Sequence, residues 1–175
     1  MADLIPDQYR WLLNEPGPKM LAKALELYGT AEVVGEKHNP IILDWADEVG
    51  LGGLYQSDEI PWCGLFVGVV AKRAGKPLPA NPLWARNWAH WGAAASPRLG
   101  AVLVFTRESG GHVGLYVGED NKCFHVLGGN QGNKVCIVRI EKDRLLAARE
   151  LYKVTPANVR PVVILRTEEV SRNEA

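Results

Sequence analysis

The chain carries no net charge, because its 20 Lys and Arg residues balance 20 Asp and Glu residues. A balanced chain has no electrostatic reason to bind nucleic acid or an anionic membrane surface, so we expect neither as a partner. No apolar run approaches the length of a membrane span, and we expect no membrane insertion. The opening MADLIPDQYRWLL lacks a basic segment followed by an apolar run, which predicts synthesis in the cytoplasm without a signal peptide.

The chain contains only three cysteines. Cys63, Cys123 and Cys136 are widely spaced and form no CxxC pair, which excludes a disulfide framework and a zinc ribbon. The HxH and HExxH motifs of metal sites and the glycine-rich phosphate loops of nucleotide sites are also absent. We therefore expect no metal and no cofactor.

Helical patterns occupy the first part of the chain. Short helices are predicted over 6–15, 18–29 and 40–50, the last starting at Asn39-Pro40 and closing at Gly50. A fourth helix, from Cys63 to Ala74, is almost uncharged until its last turn and ends before Gly75, so we expect it to be buried on most sides.

The character of the chain changes after Pro97. Five segments rich in β-branched and aromatic residues predict strands, at 101–107, 112–118, 122–128, 134–140 and 161–166. LLAARELYK (145–153) reads as a helical insert before the last strand. Helices followed by strands predict an α+β fold in which N-terminal helices pack on a C-terminal antiparallel sheet of about five strands. We expect one domain over 1–175, with a helical part (1–57), a core (58–166) and a frayed tail (167–175).

Two residues in these elements suggest chemistry. Cys63 stands at the predicted start of a helix, where the backbone N–H groups and the helix dipole favour a thiolate. His112 begins a strand in GGHVGLYVG, after two glycines that allow close approach of the backbone. A cysteine and a histidine that meet in space form a nucleophile and its base, and an imidazolium at His112 would lower the pKa of the thiol further.

Such a pair needs a third group to orient the imidazole, and three candidates follow the next strand. They are Asn130, Gln131 and His125, in HVLGGNQGN. Side chains alternate across a strand, so Asn130 and His125 lie on opposite faces and only one of them points at His112. A bulge at Gly128-Gly129 would change this alternation.

Together these segments resemble the papain-like peptidoglycan hydrolases of the CHAP (cysteine, histidine-dependent amidohydrolase/peptidase) and NlpC types, and in particular a phage and prophage branch similar to endolysins. The resemblance covers about residues 18–140 and is carried by HNPIILDWADEVGL, DEIPWCGLFVGVVAKRAG, LGAVLVFTRESGGHVGLYVGE and VLGGNQGNKV. It implies a papain-like fold and a thiol hydrolase that cleaves an amide bond in peptidoglycan, as an endopeptidase or an N-acetylmuramoyl-L-alanine amidase.

Residue by residue, the resemblance implies Cys63 as nucleophile, His112 as general base and Asn130 as the third residue. The third histidine of many NlpC-type enzymes would instead align with His125. Those enzymes carry Asp before the cysteine where this chain has Trp62, so Trp62 and the nearby acid Glu59 are our candidates for substrate binding. Aromatic rings suit sugars and peptide stems, and of Trp84, Trp88 and Trp91 at least one is expected to face away from the core.

The expected setting follows from the same resemblance. A monomer without a signal peptide would act on the cell wall after release through a holin, as part of a phage tail, or as a secreted toxin. Two alternatives stay open: a non-catalytic wall-binding or structural module that kept the fold, with Cys63 inert, and a papain-like amidase acting on a different amide.

Overall fold

The computed structural model describes residues 2–33, 35, 37–165, 170–172 and 174. Three α-helices precede the sheet: α1 (Lys19–Glu26), α2 (Pro40–Glu48) and α3 (Cys63–Arg73). Short 3-10 helices occupy Ala2–Leu4, Asp7–Asn14, Ala85–His90 and Lys142–Arg144. Among the described residues, no helix is long and apolar enough to cross a membrane.

Six strands form one antiparallel sheet in the order β1-β6-β2-β3-β4-β5. They are β1 (Ala93–Ala94), β2 (Val102–Thr106), β3 (Gly111–Glu119), β4 (Cys123–Gly128), β5 (Cys136–Glu141) and β6 (Leu145–Glu150). The fold is therefore α+β, as the order of patterns along the sequence predicts.

Local signals explain where the helices begin and end. The Asn39 side chain accepts a hydrogen bond from the Ile41 N–H at 2.9 Å, and Pro40 occupies the first turn of α2, where its missing N–H costs nothing. Gly75 follows α3 with φ of +73°, and its N–H donates to the carbonyl of Lys72. Both ends agree with the sequence prediction.

Helix α3 is the centre of the core. All nine of its residues from Cys63 to Ala71 are buried, because α1 and α2 pack on one side of it and β3 on the other. The main hydrophobic cluster fills this layer between helices and sheet, while a smaller cluster that includes Phe105 and Tyr116 covers the opposite face of the sheet. The N-terminus of α3 is thereby held against the sheet near the start of β3.

Two sequence predictions about strands are wrong. The segment 145–150, expected to be helical, is β6 and pairs with both β1 and β2. Its Leu, Ala, Arg and Glu residues favour a helix locally, but pairing between two strands overrides that preference. The segment 161–165 forms no named strand; Val163 makes only an isolated parallel bridge with Glu119.

The expected frayed tail lies partly outside the described residues, which omit 167–169, 173 and 175. The described part is bound to the fold. Val170 bridges to Arg139, the Ser171 N–H donates to the Arg139 carbonyl, and Glu174 is completely buried.

Two glycines of α3 give a matched test of its packing. A Cβ on Gly64 would contact the carbonyl oxygen of Pro82 and lie 2.5 Å from that of Leu83, whereas a Cβ on Gly68 would have no neighbour closer than 3.6 Å. We expect Gly64→Ala to lower the free energy of unfolding by about 1–3 kcal/mol through overpacking. Gly68→Ala should be neutral or raise that free energy by up to about 1 kcal/mol through helix propensity.

Urea unfolding of the two variants beside the wild type measures the difference. Equal stability of the two alanine variants would contradict the close approach of the 82–83 backbone to α3.

Candidate active site

The thiol of Cys63 lies in the first turn of α3, beside the start of β3. Its side chain is 4% exposed, and the backbone N–H groups of Val113 and Gly64 act on the sulfur. Val113 directly follows His112, so the predicted nucleophile lies at the backbone of the strand position after the predicted base, although no hydrogen bond joins Cys63 to His112 in the described part of the chain. Packing of α3 on β3 brings Cys63 to Val113, which lies 50 positions later in the sequence.

The His112 imidazole is fixed by an amide side chain. Its Nε2 lies 2.9 Å from Oε1 of Gln131. The Nε2 atom of Gln131 donates to the carbonyls of Val126 and Cys136, at 3.1 and 2.6 Å, which leaves only Oε1 to face the imidazole. Since an amide oxygen can only accept, the proton of neutral His112 resides on Nε2 and Nδ1 keeps its lone pair. Within the described part of the chain, that buried Nδ1 has no hydrogen-bond partner.

Of the three candidates, Gln131 is the one that hydrogen-bonds the imidazole of His112 in the described part of the chain. The chain leaves β4 after Gly128, and Asn130 adopts the left-handed conformation with φ of +55°. This turn breaks the strand alternation on which the expectation for Asn130 depends. A Cβ on Gly128 would lie 2.6 Å from Oε1 of Gln131, so glycine at 128 makes room for the Gln131 amide.

His125, the other candidate, belongs to a separate buried network. Its Nδ1 lies 2.6 Å from the Tyr9 hydroxyl and its Nε2 lies 2.7 Å from Oδ2 of Asp120. Asp120 also accepts hydrogen bonds from Arg139 and from backbone N–H groups in the β3–β4 turn. The network ties the N-terminal segment to that turn, away from His112.

The two residues expected to bind substrate lie elsewhere. Trp62 is completely buried; its ring packs against Trp45, and its Nε1 donates to Glu32 at 2.6 Å. Glu59 is exposed and does not line the cavity at Cys63. Its neighbour Asp58 is buried and accepts hydrogen bonds from the backbone of Val33 and Asn39, which anchors the loop that leads to α3.

A groove of about 580 Å³ opens beside Cys63. We call it the Cys63 groove. Its walls come from the loop before α3, the chain leading into the 3-10 helix at 85–90, and the β2–β3 turn. Side chains that line it include Ile60, Pro61, Leu83, Trp84, Arg86 and Arg107.

Trp84 is the aromatic residue of this groove. Its side chain is 67% exposed, whereas Trp88 and Trp91 are buried. The expectation that at least one of these three indoles faces away from the core is confirmed. The sequence favoured Trp62 because it adjoins Cys63, but adjacent residues at a helix start point in different directions.

Burial dominates the electrostatics of the pair. It raises the pKa of the Cys63 thiol above its usual range, although the N–H groups of Val113 and Gly64 and the charge of Arg107 oppose the rise. Burial also lowers the pKa of His112 to about 4, against the charge of Glu174 and the hydrogen bond to Gln131. The resting pair is thus a neutral thiol and a neutral imidazole, where the sequence led us to expect a thiolate favoured by the helix and an imidazolium.

Glu174 supplies a negative charge that acts on His112. Burial alone would raise the pKa of this carboxyl, but the hydrogen bonds and the charge of Arg144 hold it below its usual range. The Arg144 guanidinium binds both carboxylate oxygens at 2.8 Å and also donates to the carbonyl of Thr106. No pattern in the sequence predicted that Glu174, in the C-terminal tail, would interact with Arg144 and His112.

No protein-family model matches the chain, and no curated protein matches it. The likeness to CHAP and NlpC-type hydrolases rests on the sequence segments named above and stays a prediction. Among the described residues, no group of three or more His, Cys, Asp or Glu side chains is placed to hold a metal ion.

The lowered pKa of His112 predicts a pH-dependent loss of stability. Between pH 6.5 and about 4 the unfolded chain protonates this histidine and the native chain does not. Stability from neutral His112 is therefore complete above pH 6.5 and is lost as the pH falls towards 4, by about 3 kcal/mol in total. We expect His112→Gln to remove this part of the slope in urea unfolding measured across that range.

The matched control is His90→Gln, since His90 is exposed. This variant should keep the wild-type dependence of unfolding free energy on pH, because His112 and the carboxylates Asp120 and Glu174 are unchanged in it. Identical slopes for wild type and His112→Gln would contradict a buried, neutral His112.

Proposed function

We propose that the protein is a thiol hydrolase that cleaves an amide bond, with Cys63 as nucleophile, His112 as general base and acid, and Gln131 as the residue that orients the imidazole. The observation that carries the proposal is the combination at His112. Its Nε2 is fixed by Gln131 while its buried Nδ1 is unpartnered among the described residues, and the backbone N–H of the next residue, Val113, acts on the sulfur of Cys63 at the start of a helix. Most buried polar side-chain atoms in proteins have a hydrogen-bond partner.

In the first half-reaction the Nδ1 lone pair of His112 takes the proton of the Cys63 thiol as the sulfur attacks the amide carbonyl. Because the resting pair is neutral, this proton transfer accompanies the attack. The carbonyl oxygen becomes an oxyanion, for which the N–H groups of the first turn of α3 are suitable donors. The C–N bond then breaks, and the departing amine takes the proton from Nδ1.

In the second half-reaction water attacks the thioester formed on Cys63. Nδ1 of His112 accepts the proton of that water, and collapse of the tetrahedral intermediate releases the carboxylic acid. The proton on Nδ1 returns to the sulfur, which restores the neutral thiol. Gln131 takes no proton at any step; it keeps Nδ1 directed at the reacting atoms.

Peptidoglycan is the substrate we propose, as endopeptidase or N-acetylmuramoyl-L-alanine amidase. Three features support it: the family resemblance over about residues 18–140, an open groove at Cys63 instead of a closed pocket, and the exposed Trp84 ring in that groove. Aromatic faces pack well against sugars and peptide stems. A phage or prophage lysin released through a holin is the setting that fits the resemblance, and a monomer without a cofactor suffices for this chemistry.

The burial of Cys63 favours one rival, a wall-binding module of the same fold with an inert thiol. At 4% exposure, and with its pKa raised, the thiol has the properties of a packed residue. Such a module would bind peptidoglycan without producing new chain ends, which separates it from a hydrolase.

Digestion of purified peptidoglycan tests the proposal directly. We expect wild-type protein to release fragments whose new amine and carboxyl ends are identified by mass spectrometry. Cys63→Ala and Cys63→Ser should lower the rate by at least about 10³-fold, because the nucleophile is lost. Cys123→Ala is the matched control, since Cys123 is a buried thiol of β4. Hydrolysis by Cys63→Ala at the wild-type rate would contradict the proposal. Binding of peptidoglycan without new amine and carboxyl ends would favour the wall-binding module.

A second experiment distinguishes the roles of Asn130 and Gln131. We expect Gln131→Ala to lower kcat by about 10²-fold, because the imidazole loses its orientation. Asn130→Gly should keep kcat within about twofold, since glycine adopts the left-handed conformation at no cost.

Gln131→Glu adds a readout beyond rate. A carboxylate at Nε2 favours the imidazolium, so the acid limb of the kcat/KM profile should move to higher pH. Loss of activity in Asn130→Gly with normal activity in Gln131→Ala would instead return the third role to Asn130.

A further inference from the structure

The Cys63 groove contains positive charge without compensation. Arg86 and Arg107 line it, and no Asp or Glu does. In contrast, six other arginines each contact a carboxylate. Neither Arg86 nor Arg107 has an ion pair among the described residues. Such a local excess is notable in a chain with no net charge, because it is concentrated where a substrate would lie.

The β2–β3 turn positions both arginines at the groove. Nε of Arg86 donates to the carbonyl of Gly110 at 2.8 Å, and a Cβ on Gly111 would lie 2.9 Å from Cγ of Arg86. Arg107 begins the turn, and its backbone N–H donates to the same Gly110 carbonyl at 3.4 Å. Among the described residues, the two NH2 groups of Arg86 and the guanidinium of Arg107 have no hydrogen-bond partner, so they can bind a ligand.

Arg107 lies close enough to the reacting pair to influence it. Its charge lowers the pKa of Cys63 and of His112, after the larger effects of burial and of nearer groups. Arg107 also lines a neighbouring groove, where the acids Glu108 and Glu141 lie beside the further cations Arg144 and Arg172. Glu59 is exposed in the loop before α3 and does not line the Cys63 groove.

We propose that the Cys63 groove selects substrates that carry a free carboxylate beside the scissile amide, bound by Arg107 and Arg86, while an apolar part lies on Trp84. This rests on the proposed hydrolysis at Cys63 and specifies its substrate as an acidic peptide. Planar guanidinium groups bind carboxylates through paired hydrogen bonds, whereas a carboxamide offers one acceptor and no charge.

The test compares two synthetic stem peptides that differ only in one group, a free carboxylate or a carboxamide on the residue at the scissile amide. Binding is measured by calorimetry with the Cys63→Ala protein, so that no turnover is needed. We expect the carboxylate peptide to bind at least about tenfold more tightly, with the preference shrinking at high salt.

Arg107→Gln and Arg86→Gln should each reduce this preference, and Arg107→Lys should restore part of it. Arg10→Gln is the matched control, because Arg10 is an exposed arginine outside the groove. It should keep the wild-type preference. Equal affinity for the two peptides, or binding of neither, overturns the inference.

Hydrolysis of the same peptides by wild-type protein separates this result from the proposed function. A carboxylate preference in binding without any hydrolysis would retain the inference and reject the thiol hydrolase. Hydrolysis of both peptides at equal kcat/KM, with equal affinity, would retain the hydrolase and reject the role of the two arginines.

Discussion

The candidate site depends on one buried amide. The Gln131 side chain closes the β4–β5 connection with its nitrogen and holds the imidazole of His112 with its oxygen. A buried amide with every hydrogen bond made is stiff, because any rotation would leave polar atoms unsatisfied. The same three hydrogen bonds thus fix the shape of the connection, the tautomer of His112 and the direction of its free nitrogen. Gly128 is part of this constraint, since a side chain there would occupy the space of the amide oxygen.

Elements with local signals could be predicted from the sequence, and elements defined by distant partners could not. Asn39-Pro40 and Gly75 mark the limits of α2 and α3, so Cys63 was placed correctly at a helix start. His112 at the start of β3 followed from its glycines and the strand pattern. Strand β6 was missed because its stability comes from β1 and β2, which lie about 40 to 57 residues earlier in the chain. The prediction of an α+β fold was still correct, because it depended on the strands predicted elsewhere and not on segment 145–150.

The site itself shows the same division. Gln131 was among the candidates, but strand alternation could not choose it, because the left-handed turn at Asn130 lies beyond the strand where the rule holds. Trp62 is buried and Trp84 is exposed in the Cys63 groove, because exposure depends on what covers each ring in three dimensions. The helix N-terminus predicts a favoured thiolate, and it does oppose the rise in pKa. Desolvation by the surrounding core has a larger effect on the pKa of Cys63 than the helix does, and the residues that bury the thiol cannot be recognised from the local sequence.

The burial of a protonated Cys63 also bears on its chemical durability. Peroxides and other oxidants react with thiolates that they can reach, and this thiol is 4% exposed and neutral at rest. On the proposed chemistry, the nucleophile would become reactive only in contact with a ligand that brings a carbonyl to the sulfur. The protein would then survive in an oxidising environment that inactivates enzymes with a permanently ionised cysteine, without a disulfide or a reductant to protect it.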